Sequence, residues 1–154
     1  MDWKKLVASV LICQMTGLIG ALFTTPAIAT WYVGITKPSF NPPNWIFGPV
    51  WTILYLLMGL SLYLVWSQGF EKNKMRMGVF GAQLGLNVVW SVLFFGMGNF
   101  GAAFVEMLAL WVAIAATIVV FYKTSKKASL MLVPYICWVS FAALLNFAIW
   151  RLNP

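Results

Sequence analysis

Apolar residues along this chain come in five blocks, at about residues 6–25, 46–66, 77–95, 102–122 and 129–150. Each block suits a helix that crosses a bilayer, since roughly 20 helical residues span a hydrocarbon core of ~30 Å. Backbone polar groups in lipid must be satisfied within the segment, and a helix does this. Short polar stretches separate the later blocks: SQGFEKNKMR, GMGNFG and KTSKK. The pattern predicts an all-α membrane protein, one five-helix transmembrane domain over residues 1–154. Pro134 falls in the first turns of the fifth helix, where a missing donor costs least.

The gap between the first two blocks has a different character. Residues 31–55 read WYVGITKPSFNPPNWIFGPVWTILY. Pro38, Pro42 and Pro43 fix φ and lack a backbone N–H, so no regular helix runs through them. Trp31, Tyr32, Phe40 and Trp45 sit among the prolines with one cation, Lys37. Aromatic residues in a proline frame suit a loop folded over a hydrophobic opening. Residues 26–45 are therefore expected to form a lid.

The first block admits a second reading. Lys4 and Lys5 precede it and Ala27-Ile28-Ala29 resembles a signal-peptide cleavage site. The block exceeds a usual signal-peptide core, and Gly17, Gly20 and Ala21 give it a small-residue face suited to helix packing. A retained helix is expected.

Composition narrows the chemistry. Of 154 residues, 62% are hydrophobic and 8% charged, against about 25% charged in soluble domains; a water-soluble fold is excluded. There is no histidine, which removes the commonest metal ligand and general base. Cys13 and Cys137 lie in apolar segments without CxxC spacing and read as packing residues. Asp2, Glu71 and Glu106 are the only acids, and Glu106 lies about one turn inside the fourth helix. An ionisable residue there is a functional candidate, or it reaches the interface or a polar neighbour.

The net charge of +7 has a topological origin. Five spans put the termini on opposite sides. Lys4, Lys5, Lys72, Lys74, Arg76, Lys123, Lys126 and Lys127 fall on the N-terminal side; Lys37 and Arg151 fall on the other. This asymmetry places the N-terminus in the cytoplasm and the C-terminus and lid outside. No nucleic-acid partner is expected.

Helical spacing of 100° puts Gly81, Gly85, Val88, Val92 and Gly96 on one face of the third helix. Gly81-x-x-x-Gly85 is a close-approach motif, hence a candidate homodimer contact. Gln83, Asn87, Trp90 and Phe94 share the opposite face. Amides in hydrocarbon need partners, either to fix helix packing or to line a cavity. Trp51 and Tyr55 are one turn apart on the second helix, and Trp138, Ala142 and Asn146 step by four along the fifth. An indole beside an alanine makes a flat slot. Indoles also gather at bilayer interfaces, a reading that suits Trp3, Trp66, Trp111 and Trp150 better than the deeper Trp51, Trp90 and Trp138.

The loop WYxxxxKPSFNPPNWIFGPVWTILY, the run QLGLNVVWSVLFFG and the ending WVSFAALLNFAIWRLN together resemble the translocator protein family. That family is also called tryptophan-rich sensory protein or peripheral benzodiazepine receptor. The resemblance covers essentially the whole chain, and the close length without extensions points to a bacterial member, in the cell membrane. It implies a five-helix bundle, usually dimeric, binding porphyrins, sterols and benzodiazepine-site ligands in a pocket closed by the first loop. Carried onto matching positions, the pocket includes Tyr32, Pro42, Trp51, Asn87, Trp138 and Ala142, to which the stripes above add Trp90 and Asn146. Bacterial members are associated with light-dependent oxidative breakdown of protoporphyrin that depends on pocket tryptophans. The matching positions here are Trp51 and Trp138.

Two departures stand out. The sterol-recognition motif of the family has Leu145 and Arg151 in place, but Phe147 at its tyrosine position. The third helix reads Trp90-Ser91-Val92 where many relatives have proline after the serine, so its outer half is expected to be straighter. A metal-free porphyrin needs no axial ligand, so no metal or other cofactor is expected, and the missing histidine is no obstacle. Lys37 and Arg151, the outer cations, are candidates for its propionates; Arg151 is also favourable simply as a cation at a helix C-terminus. The expected function is tetrapyrrole binding that promotes photooxidative degradation; the alternatives are a shuttle for tetrapyrroles or lipids and a ligand-responsive sensor. No residue is an ordinary acid, base or nucleophile for catalysis, which leaves enzyme status open; if the chain is an enzyme, its reaction is tryptophan-dependent photooxidative degradation of the porphyrin. Membrane lipid is the remaining expected partner.

Overall fold

The computed structural model describes residues 1–154, built of helices without strands. Helix α1 spans Trp3–Ala29, α2 Phe47–Trp66, α3 Phe70–Ser91, α4 Phe100–Tyr122, α5 Lys126–Met131 and α6 Val133–Leu152. These make five segments long and apolar enough to cross a membrane, the last formed by α5 and α6 together. Local chemistry starts several of them. The carboxylate of Asp2 accepts from Lys5 N at 3.2 Å, the Asn99 side chain from Ala102 N at 3.0 Å and the Ser125 hydroxyl from Ala128 N at 3.3 Å. Each satisfies a donor that a helix start leaves open.

Helix boundaries differ from the hydropathy blocks for identifiable reasons. Helix α1 runs through Pro26 to Ala29, because one missing donor is tolerated in a membrane helix. The lid therefore begins near Thr30. Helix α3 starts at Phe70, earlier than the apolar block, after a turn in which Gly69 takes φ +109°. Its polar first turns are held from inside by buried Asn73. That amide donates to Gly69 O at 3.0 Å and Val65 O at 3.4 Å, and accepts from Arg76 at 2.6 Å and Thr124 at 3.1 Å. Three chain segments thus meet on one side chain.

Two irregularities replace expected regular helix. The fifth span breaks at Leu132 (φ −90°, ψ −8°), just before Pro134, which cannot donate to the preceding turn. The end of the third span does not straighten for want of proline. Residues Val92–Gly96 form a π turn, in which Met97 N bonds back to Val92 O at 2.9 Å. The wider turn rotates Gly96 off the Gly81/Gly85 stripe; a Cβ at Gly96 would lie 3.0 Å from the Phe23 ring.

One half of the bundle is solid. Helices α1 and α2 meet closely at Gly59, where a Cβ would come within 2.7 Å of the Val10 backbone. Phe80 and Phe121 stack at 5.5 Å, and Met58, Val65 and Ile114 are fully buried beside them. Asp2 N donates to the Tyr63 hydroxyl at 3.3 Å, so the N-terminus lies at this solid end. The C-terminus lies at the other, where Asn153 meets the lid. The lid half is hollow.

Candidate ligand-binding cavity

A cavity of about 290 Å³ lies between α1, α2, α3, the π turn and α6, beneath the lid. Helix α1 contributes mainly small and polar residues, Gln14, Gly17, Gly20, Ala21 and Thr24. The facing walls are aromatic: Phe47, Trp51 and Tyr55 from α2, Trp90 from α3, Phe94 and Phe95 from the π turn, and Trp138 from α6. Ala142, Leu145 and Asn146 continue the α6 wall, and Tyr32 enters from the lid. No charged side chain lines the space.

Each aromatic wall is fixed by its neighbours. Trp51 lies 5.6 Å from the Tyr55 ring and 6.2 Å, edge to face, from Tyr135. Trp138 stands edge to face with Phe47 at 6.0 Å and contacts Phe141 at 5.5 Å. Such pairs are worth ~0.5–1.5 kcal/mol beyond area burial. Gly17 makes room for Tyr55, since a Cβ at that glycine would lie 2.6 Å from the ring.

A buried chain of polar groups supports the floor. The Tyr55 hydroxyl donates to Asn87 Oδ1 at 2.6 Å, and Asn87 Nδ2 donates to the Tyr135 hydroxyl at 2.8 Å. Tyr135 donates onward to Gln83 Oε1 at 2.9 Å, and Gln83 Nε2 reaches Met58 Sδ at 3.9 Å. A second pair supports the upper wall: Trp90 Nε1 donates to Asn146 Oδ1 at 3.0 Å, and Asn146 Nδ2 to Phe100 O at 2.8 Å. Asn87 and Asn146 thus fix helix packing and line the cavity at once, while Gln83 lies beneath it. The Trp138 indole N–H is buried without a partner in the chain.

The lid closes the top. Tyr32 is buried, its hydroxyl donating to Asn41 Oδ1 at 3.3 Å. Burial pushes its phenol up to about 12, so it stays neutral near pH 7. Trp31 packs on Phe95 and Phe100. The Lys37 ammonium lies 4.6 Å over the Tyr32 ring and donates to Val33 O and Ile35 O, each at 3.4 Å.

Seven of the sequence-derived positions therefore meet around one space: Tyr32, Trp51, Asn87, Trp90, Trp138, Ala142 and Asn146. Three do not line it. Pro42 is in the lid, its carbonyl accepting from Asn41 Nδ2 at 2.9 Å; Lys37 is turned onto the lid itself; Arg151 is exposed. Gly81 and Gly85 are exposed, and a Cβ at either meets nothing within 4 Å. Trp3 and Trp150 are exposed near helix ends. Trp111 is exposed at the middle of α4, its Nε1 donating to Ser140 Oγ at 2.8 Å, so the interfacial reading does not fit it. Both carboxyl oxygens of Glu106 are buried without a partner in the chain. No cluster of three or more His, Cys, Asp or Glu residues exists for a metal.

Sequence reasoning missed Tyr135, which joins the two amides, and the lining residues Gln14, Asn44, Phe47, Thr52 and Ser91. A lone tyrosine in an apolar run gave only a weak signal, because its partner Gln83 is 52 positions away.

Five spanning segments around a lidded aromatic cavity define an integral multi-pass membrane protein. Residues 9–151 match the TspO/MBR family. The chain is 50% identical over 153 residues to tryptophan-rich protein TspO of Archaeoglobus fulgidus, covering 99% of each chain. It is 39% identical to the human translocator protein over 98% of this chain and 91% of that one. It is 34% identical to tryptophan-rich sensory protein of Cereibacter sphaeroides over 99% of this chain and 94% of that one. The chain belongs to the TspO/MBR family.

Proposed function

We propose that this protein binds a metal-free tetrapyrrole of the protoporphyrin type in the lidded cavity and promotes its light-dependent oxidative breakdown. The observation that carries the reading is the placement of Trp51 and Trp138 on two walls of one uncharged cavity. A flat apolar ring suits such walls, and the free Trp138 N–H offers a donor to an acceptor atom on the ligand. Small-molecule sites range over about 300–1,000 Å³; a cavity of about 290 Å³ takes a ring edgewise and leaves its substituents at the rim. The propionates then lie outside the aromatic walls, where Lys37 or Arg151 meets them only after a side-chain rearrangement.

The chemistry is photochemical. Either excited porphyrin passes its energy to oxygen and the singlet oxygen adds to the ring, or it takes an electron from a contacting indole and hands it to oxygen as superoxide. In the second route the indole radical cation recovers an electron from the ring, and superoxide adds to the oxidised ring. In both routes oxygen is the sole oxidant, both its atoms end on the ring, the indole is restored, and no acid, base or nucleophile of the chain is required. Adding protoporphyrin to the protein and comparing absorption spectra in light and dark tests the reading. Bleaching in light alone, faster than in protein-free detergent, supports it; equal rates with and without protein overturn it.

The setting follows from charge. Eight of ten cations lie at the solid end, an asymmetry that supports a cytoplasmic N-terminus with the lid outside; the membrane proposed is that of a bacterial cell. The open Gly81/Gly85 stripe is the contact proposed for a homodimer, because small residues let helix backbones approach in lipid.

A further inference from the structure

We propose that the cavity is loaded sideways from the lipid phase, through a mouth between α1 and α2, and not over the lid. This deepens the reading above by naming the source of the ligand: a flat apolar molecule already dissolved in the membrane.

The top and the side of the cavity differ. Above, Tyr32 is buried and Trp31 packs on Phe95 and Phe100. Phe40 meets Phe141 at 6.3 Å, and Thr36 is tied to Asn153 through two hydrogen bonds of 3.0 and 2.8 Å. Three separate anchors hold the lid down. At the side, Leu18 and Thr25 of α1 and Gly48 and Thr52 of α2 line the cavity and are also exposed on the outer surface. Residues with one face on the cavity and one on the exterior mark an opening. All four belong to membrane-spanning segments, so the exterior they face is lipid.

The mouth has a built lower edge. Gln14 Nε2 donates to Thr52 O at 3.1 Å, joining α1 to α2 below the opening. Below it the two helices pack closely at Gly59. Above it Gly48 presents no side chain, and a Cβ there would meet nothing within 4 Å. A larger residue at position 48 would stand in the gap.

The test uses the full chain in liposomes and a small aryl diazirine dissolved in the lipid, so it is independent of porphyrin binding. A brief flash after mixing converts the probe to a carbene that inserts where it lies, and mass spectrometry locates the adducts. Trp138 and Ala142 report the cavity; exposed Val112 and Val119 on α4 report the lipid face. The expected result is labelling at all four positions in the parent chain. Gly48→Trp, or Thr25→Trp from the opposite rim, loses the label at Trp138 and Ala142 while keeping it at Val112 and Val119. A disulfide formed by Thr36→Cys with Asn153→Cys, which fixes the lid, leaves all four labels unchanged. The proposal is overturned if the parent chain is not labelled at Trp138 and Ala142. It is equally overturned if both rim variants keep that labelling, or if the lid disulfide abolishes it.

Discussion

The side-chain amide of Asn153 pairs with the backbone of Thr36 in both directions. Thr36 N donates to Asn153 Oδ1 at 3.0 Å, and Asn153 Nδ2 donates to Thr36 O at 2.8 Å. The same Nδ2 donates to Ile149 O at 2.8 Å, closing the last turn of α6. One residue near the C-terminus thus fixes a loop 117 positions earlier. Asn153→Ala should cost about 1–3 kcal/mol, since each of the two bonds to Thr36 contributes ~0.5–1.5 kcal/mol. Amide exchange at Thr36 should accelerate in Asn153→Ala and stay partly slowed in Asn153→Asp, which keeps the acceptor. Unchanged exchange at Thr36 in Asn153→Ala would remove the latch from consideration.

Tyr135 is the single link between Asn87 and Gln83. Tyr135→Phe strands an amide donor and an amide acceptor inside the bundle. Leaving buried polar groups unpaired costs ~1–3 kcal/mol, so thermal melting in detergent should fall measurably. Tyr55→Phe interrupts the same chain at its cavity end and strands only Asn87 Oδ1, so its effect should be smaller. The reverse order of the two melting temperatures would contradict this reading of the network.

Gly81 and Gly85 leave a groove on α3 with nothing of the chain within reach of an added Cβ. Gly81→Leu combined with Gly85→Leu should produce monomers in mild detergent, read by light scattering, while the cavity on the opposite face keeps its ligand. A dimer that persists in the double variant would move the contact elsewhere.

Much of this site was legible because helices repeat. Steps of four along Trp138, Ala142 and Asn146, and the shared face of Gln83, Asn87 and Trp90, follow from 100° per residue. Those positions meet one cavity or the network beneath it. What periodicity could not show depends on contacts between distant segments or on broken periodicity. Charge counting assigned Lys37 to the lid end of the bundle but carried no information on its direction, which the Tyr32 ring and two carbonyls decide. The π turn at Val92–Gly96 moved Gly96 away from its helical neighbours. The polar start of α3 was hidden because hydropathy reports lipid contact and not helix. The Asn153 latch joins two loop-end residues that no pattern connects.

On the proposed function, Trp51 and Trp138 act on a porphyrin held between them. Each indole should be dispensable for holding the ring, since several aromatic walls remain, but needed for its oxidation. The direct measurement is protoporphyrin binding by fluorescence quenching, followed by bleaching under light, in the parent chain, Trp51→Phe and Trp138→Phe. The expected result is retained quenching with loss of light-driven bleaching in both variants. Bleaching that continues at the parental rate in both, with binding intact, would contradict it.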